Sequence, residues 1–546
     1  MPDFSIKERP VILERLKTSS YDLLVIGGGI TGAGIALDAA SRGLKTALIE
    51  KNDFAFGTSS RSTKLIHGGL RYLKQLEFGL VREVGSERAI VHRLAPHLVI
   101  PERMLLPLSE KKGLGYWLTS IGLMIYDYLA GVRPEDQRRM LTKPQTLRFE
   151  PLLRRDDIKG GAIYAEYRTD DARLTIEIIK TAFGHGADIV SYVKVQDFIY
   201  GSGKVQGVLV EDLLTGMSFP VRAKVVVSAA GPWVDELREV NKSKTGKRLH
   251  LTKGVHIVVP REKLPVQQSI YFDVDDGRMI FAIPRGRITY VGTTDTNYAG
   301  PIDNVTASAE DATYLVRAVN ATFPKVNLKV NDIESSWAGL RPLIHEEGKS
   351  ASQLSRKDEI FESVTGLISI AGGKLTGYRK MAERVVNLVI KRNFQDRQLD
   401  KCHTQRIKLT GGDFHSKKDV RKYMLTRVKA LKIYNLSDIT VNYLVSNYGH
   451  QTDRIIEYFR QLEDPDTELR LLKAELAFTV EHEMVVTLMD FFVRRTGLAY
   501  FHINKVIQHK DSVNSFMQKL TGMDDQTSNR QLRDLEQFIN QVKSFK

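Results

Sequence analysis

The stretch that most constrains this chain is Tyr21-Asp-Leu-Leu-Val-Ile-Gly-Gly-Gly-Ile-Thr-Gly-Ala-Gly34, followed by Gly43 and by Lys45-Thr-Ala-Leu-Ile-Glu50. Tyr21 to Ile26 is a short apolar run with β-branched residues, the pattern of a buried parallel strand. Gly27, Gly29 and Gly32 stand in G-x-G-x-x-G spacing. A helical pattern carried by Ile30, Ile35, Leu37 and Ala40 stops at Gly43, and a second strand, Lys45 to Ile49, ends in Glu50. The first glycine permits the tight turn, the second admits a pyrophosphate against the backbone, and the third lets helix and strand pack closely. The pyrophosphate belongs on the helix N-terminus and Glu50 on a ribose hydroxyl. A lone glycine motif also describes an ordinary turn. Here strand, glycines, helix, second strand and terminal acid agree, and the expectation is a dinucleotide site.

At 546 residues the chain has material for two or more domains. Eighty Lys and Arg against 65 Asp and Glu give a net charge of +15. That favours anionic partners, whether a phosphorylated small molecule or an anionic lipid surface. No Arg-rich tract with interleaved aromatics and no zinc-finger spacing is present, so nucleic acid is not expected as a partner. The single cysteine, Cys402, excludes an internal disulfide and a C-x-x-C pair and fits a reducing compartment. Met1 to Lys17 is charged and lacks a signal-peptide core. No apolar run reaches the roughly 18 residues of a spanning helix. The nearest, Gly113 to Tyr126, reads as a buried helix or as one lying in a membrane interface.

After the fingerprint comes Gly57-Thr-Ser-Ser-Arg-Ser-Thr-Lys-Leu-Ile-His-Gly-Gly-Leu-Arg71-Tyr72. Hydroxyls and glycines at this density suit phosphate oxygens or a ring rich in acceptors. Helical patterns occur at Glu77 to Leu94 and Ala172 to Gly184, and a strand at Ala162 to Tyr167. Ile189 to Tyr200 and Lys204 to Glu211 form an expected hairpin. Lys224 to Trp233 reads as a buried strand and tight turn returning to the nucleotide site. Val255 to Pro260, Ser269 to Phe272, Arg278 to Ile283 and Ile288 to Gly292 suggest a second, mostly antiparallel sheet. Ser335 to Leu343 leads back to the nucleotide domain, and Leu367 to Tyr378 is another strand, glycine pair and helix start. Asp419 onward is helical. The expected fold is α/β (α+β): a Rossmann-like nucleotide domain (1–254 and 338–395), an interleaved antiparallel-sheet substrate domain (255–337), and an all-α C-terminal domain (396–546).

One fingerprint serves NAD or FAD. The Ser/Thr-rich loop, the late Ala371-Gly-Gly-Lys-Leu-Thr376 and the interleaved strand order favour FAD. With one fingerprint there is no second site for a nicotinamide nucleotide, so electrons must leave for another acceptor.

The chain resembles the FAD-dependent glycerol-3-phosphate dehydrogenases. The resemblance rests on Gly27 to Ile35, Thr58-Ser-Ser, Lys64 to Leu73, Ala230-Gly-Pro-Trp233, Lys253 to Pro260, Val291-Gly-Thr-Thr-Asp295, Gly339-Leu-Arg-Pro-Leu343 and Gly372 to Arg379. It implies oxidation of sn-glycerol 3-phosphate to dihydroxyacetone phosphate, hydride passing from C2 to flavin N5 and electrons onward to membrane quinone. It implies a cytoplasmic protein held peripherally on the inner face of the membrane, and it leaves the oligomeric state open, a homodimer included. By similarity, Arg71, Tyr72, Thr293 or Thr294, Arg341 and Lys374 bind substrate. The cofactor contacts are Gly27, Gly29, Gly32, Glu50, Thr58, Ser59, Ser60, Lys64, Leu65, His67, Gly231, Trp233, Gly372, Gly373, Lys374, Leu375 and Thr376. His has a pKa suited to removing the hydroxyl proton. His67 is favoured as base, with His256 as base or substrate hydrogen-bond partner and Arg341 stabilising the developing alkoxide. No metal-ligand spacing appears. The related glycerophosphate oxidases carry an insertion between Arg-Pro-Leu and Gly-Gly-Lys. About 30 residues separate Leu343 from Gly372 here, which favours a dehydrogenase. The alternatives are that oxidase, using O2, and an amine or amino-acid oxidase of the same fold. No calcium loop of the mitochondrial relatives is found, which points to the bacterial type.

Overall fold

The computed structural model describes residues 3–66, 78–109, 115–129, 137–345 and 358–545. Two sheets organise it. The first runs Asp358–Glu362, Ile368–Gly372, Ser218–Ser228, Ser20–Ile26, Thr46–Ile49, Asp188–Val190. The central strands pair in parallel, so both faces must be covered. Leu23, Leu24 and Val25 are accordingly buried completely. The fingerprint helix Ile30–Ser41 packs between helices Asp171–Gly184 and Tyr378–Asn393. Gly34 makes the second contact close, since a Cβ there would stand 2.9 Å from the Tyr378 ring.

The expected hairpin differs at its start. Asp188–Val190 is the parallel edge strand of the nucleotide sheet, and the hairpin proper is Val193–Gly201 with Lys204–Asp212. The break is Tyr192, in the left-handed region at φ 61°. A residue with a large side chain hides such a turn from pattern reading. The N-terminal helix Arg9–Thr18 is pinned to this region by Arg9, which donates to Asp212 at 2.5 Å and to the Ser191 carbonyl at 3.0 Å.

The second sheet has ten strands and is antiparallel except where Ser269–Asp273 meets Ile100–Ser109. It is not confined to 255–337. Leu65–Ile66, Ile100–Ser109, Arg139–Thr142 and Ile158–Arg168 belong to it as well. Ser335–Ile344 lies antiparallel along Leu249–Pro260, from Leu249↔Ile344 to Val258↔Ser335, and so carries Arg341 to the junction of the sheets. From Lys417 onward the described chain is helical. Its Tyr500 and Phe501 rings pack on Trp337 of the second sheet, at 5.3 and 5.8 Å.

The apolar stretch near residue 120 is the helix Gly115–Leu129. Leu123 and Tyr126 are buried, whereas Ile121 and Met124 are about half exposed (48% and 49%). The helix is therefore two-faced rather than buried all round. Among the described residues no helix is long and apolar enough to cross a membrane.

Candidate functional site

A cavity of 1740 Å³ runs between the two sheets. Its wall includes the glycine fingerprint. Gly27 has φ 112°, open to glycine, and a Cβ would fall 2.7 Å from the Ala229 carbonyl. Gly32 does not face the cavity: a Cβ there would stand 1.9 Å from the Gly27 carbonyl, so it serves helix–strand packing. The Ser59 hydroxyl accepts from the Ile30 N–H at 3.0 Å, placing a polar side chain at the helix N-terminus. Glu50 accepts from the amides of Gly28 (2.6 Å) and Asn52 (2.8 Å), which fixes its carboxylate at the cavity wall. Burial raises the Glu50 pKa, and those two amides oppose the shift.

Another part of the wall comes from loops. Thr58 donates to the Leu340 carbonyl at 2.7 Å and so ties the Ser/Thr loop to the strand carrying Arg341. Leu65, Gly231 and Trp233 also line the cavity. The Trp233 indole donates to Asp303 at 2.9 Å, and the Lys51 ammonium lies 4.7 Å from its ring centre while pairing with Asp303 at 2.7 Å.

The cavity is also lined by Thr293, Arg341 and the turn Gly372, Gly373, Lys374, Leu375, Thr376. Arg341 donates to Thr293 Oγ1 (2.9 Å), the Thr294 carbonyl (3.2 Å) and Asp295 (3.1 Å). A Cβ on Gly254 would lie 2.4 Å from Arg341 Nη2, so the glycine makes room for the guanidinium. Of the two threonine hydroxyls, that of Thr293 meets Arg341. The Thr294 hydroxyl is held by the backbone N–H of Val255 at 3.0 Å and by the Lys253 carbonyl at 3.3 Å.

His256 lies in the cavity wall, stacked on Trp337 at 4.7 Å, with Nε2 2.9 Å from the Thr63 hydroxyl. Burial first, then the Arg341 and Lys64 charges, push its pKa well below the usual imidazole value. Both effects favour the neutral ring, which is hydrogen-bonded to Thr63.

Besides Gly32, two more expected cofactor contacts are turned elsewhere. The Lys64 ammonium is buried, bonded to Asp171 and to the Ser60 carbonyl at 3.2 Å. Ser60 is buried beside it and does not line the cavity. Asp171 also accepts from Ser62 N–H (2.9 Å) and hydroxyl (2.6 Å), so this end of the loop is bolted to a helix start. A hydroxyl-rich segment spends some of its polar groups on its own shape. His67, Arg71 and Tyr72 lie outside the described residues. Sequence reading missed Asp295, Thr63 and the Lys51–Asp303 pair. Asp295 and Thr63 lie inside motifs that were read for their neighbours, whereas Asp303 joins Lys51 only through tertiary structure.

The fingerprint, Glu50 and the second glycine turn along one cavity fit a flavin dinucleotide, and the volume exceeds the roughly 300–1,000 Å³ of a single small-ligand pocket. Known proteins agree. The family description "FAD dependent oxidoreductase" matches residues 22–378, and "C-terminal domain of alpha-glycerophosphate oxidase" matches 402–528. The chain belongs to the FAD-dependent oxidoreductases, and within them to the aerobic glycerol-3-phosphate dehydrogenase family. It is 49% identical over 542 residues to the aerobic glycerol-3-phosphate dehydrogenase of Bacillus subtilis, covering 98% of each chain. It is 48% identical over 543 residues to that of Staphylococcus haemolyticus, with the same coverage. A solved glycerol-3-phosphate dehydrogenase of Bacillus halodurans, complexed with FAD, matches with TM-score 0.85 and 43% identity over 99% of each chain. The cofactor of this chain is FAD.

Proposed function

We propose that this enzyme oxidises sn-glycerol 3-phosphate to dihydroxyacetone phosphate and passes the electrons to membrane quinone. The observation that supports the substrate is that Arg341, held by Thr293, and Lys374 line the same cavity as the fingerprint. A phosphate needs fixed cations, and a guanidinium offers two parallel donors. FAD, when bound, supplies the hydride acceptor for the C2 hydrogen of the substrate. Gly27, Gly29, Glu50 and the Gly372–Thr376 turn are the residues that would hold it. Arg341 and Lys374 orient the substrate. Thr63, hydrogen-bonded to His256, and His67 are the groups we assign to the C2 hydroxyl, with His67 removing its proton. Arg71 and Tyr72 are assigned to the substrate phosphate by the family resemblance. Thr58 and Leu65 shape the cavity wall.

The test is anaerobic. Addition of sn-glycerol 3-phosphate bleaches the flavin absorbance, and glycine does not. Bleaching by glycine but not by the phosphate ester would replace this reading with an amino-acid oxidase. Arg341→Ala raises KM for the ester at least tenfold or abolishes turnover; unchanged kinetics would remove Arg341 from the site. Reoxidation by a short-chain quinone, faster than by O2 and without stoichiometric peroxide, separates dehydrogenase from oxidase.

A further inference from the structure

The Asp53 carboxylate is completely buried, three residues beyond Glu50 and outside the cavity. It is held by two guanidiniums from the C-terminal helical region. Arg495 donates both Nη groups to it, at 2.8 and 2.9 Å, and Arg494 donates through Nε. Arg494 continues to Asp490 (2.8 Å), which accepts from the Tyr192 hydroxyl at 2.7 Å. Arg495 also donates to the Glu483 carbonyl at 2.9 Å, and the Glu483 carboxylate binds Arg173 of helix Asp171–Gly184 at 2.6 and 2.9 Å.

The residues after Asp53 run directly against the fingerprint. Phe54 is buried, and a Cβ on Gly28 would stand 2.8 Å from its ring. The Ala55 N–H donates to the Gly28 carbonyl at 3.0 Å, with Ala55 at φ 61°. The Phe56 ring lies near the guanidiniums of both Arg61 (5.0 Å) and Arg494 (5.6 Å). Phe56, Gly57, Thr58 and Ser59 then line the cavity. The cluster is an expensive way to hold two units together, because desolvating ions costs about what their attraction returns, and apolar packing does as well. Ions with forked geometry do set one register for the loop they hold.

We propose that Arg494 and Arg495 are positioning residues for the flavin: by fixing Asp53 they hold the Phe54–Ser59 loop against Gly28, so that docking of the C-terminal helices and retention of FAD are one coupled equilibrium. The coupling is reciprocal, as linkage requires. It concerns the cofactor and stands whether or not the substrate assignment does.

The experiment measures the Kd for FAD from the fluorescence of flavin released on serial dilution of holoenzyme, alongside the melting temperature. Asp53→Asn and Arg495→Lys are compared with Asn514→Ala. Asn514 donates to Ser528 at 2.9 Å inside the C-terminal helices, away from the loop. Asp53→Asn raises the Kd at least tenfold and Arg495→Lys at least threefold. Asn514→Ala lowers the melting temperature with the Kd within twofold of the parent. Should Asp53→Asn not fold, Arg495→Lys decides. A parental Kd in Arg495→Lys, or an equal loosening in Asn514→Ala, overturns the proposal.

Discussion

At the scale of single residues the site depends on side chains that are missing as much as on those present. Gly254 and Gly32 are small for different reasons, and substitutions separate them. A methyl on Gly254 meets Arg341 Nη2 at 2.4 Å and Thr293 Oγ1 at 2.6 Å, both ends of flexible side chains. The backbone stays and the guanidinium moves. Gly254→Ala is therefore expected to raise KM for the phosphate ester about tenfold, roughly 1.4 kcal/mol, with flavin content per chain unchanged. Steady-state kinetics and the flavin-to-protein absorbance ratio check it, and a parental KM refutes it. Gly32 meets backbone, where nothing can yield. The glycine spacing alone revealed the packing role of Gly32. The role of Gly254 was hidden, since its reason is a side chain 87 positions away in sequence that meets it only across paired strands.

At the scale of elements, strands and helices with strong periodicity were legible in the residues. The fingerprint strand, expected from Tyr21, begins at Ser20, and the helix after it stops within two residues of Gly43. The second sheet was only partly visible. Of the strand Ile158–Arg168 only Ala162 to Tyr167 was recognisable, and its place beside Ile100–Ser109 is set by long-range pairing that no local pattern records. In the C-terminal helices one buried carboxyl was silent as well. Glu475 on helix Thr467–His482 accepts from the Tyr443 and Tyr448 hydroxyls at 2.9 and 3.0 Å. Burial pushes its pKa up to about 7, against the charge of Lys505 and the two tyrosines. A folded pKa above the unfolded value means that the stabilisation is full below about 4.5 and is lost as pH rises to about 7. The loss is on the order of 3 kcal/mol. Glu475→Gln keeps the acceptor and removes the titration. Its melting temperature should change less than the parent's between pH 5 and 8; parallel curves would refute the assignment.

At the scale of the whole molecule, the proposed transfer of electrons to membrane quinone has two features to draw on at a lipid surface, the net charge of +15 and the exposed Ile121 and Met124. If charge dominates, flotation with vesicles containing anionic lipid should fall as salt is raised from about 0.01 to 1 M, over which the screening length shrinks from roughly 30 to 3 Å. Binding that survives high salt would assign attachment to the apolar face instead. The chain order has a further consequence, for synthesis. The flavin sheet takes neighbouring strands from Ser20–Ile26, Ser218–Ser228 and Ile368–Gly372. Two of these are made long before the third. Lys204–Asp212 covers residues 218–222 of Ser218–Ser228, but until Ile368–Gly372 leaves the ribosome the valine-rich end of that strand has an unpaired edge, the kind that recruits other strands. Closure of that edge, and of the cavity wall formed by Gly372 to Thr376, waits for the last of the three strands.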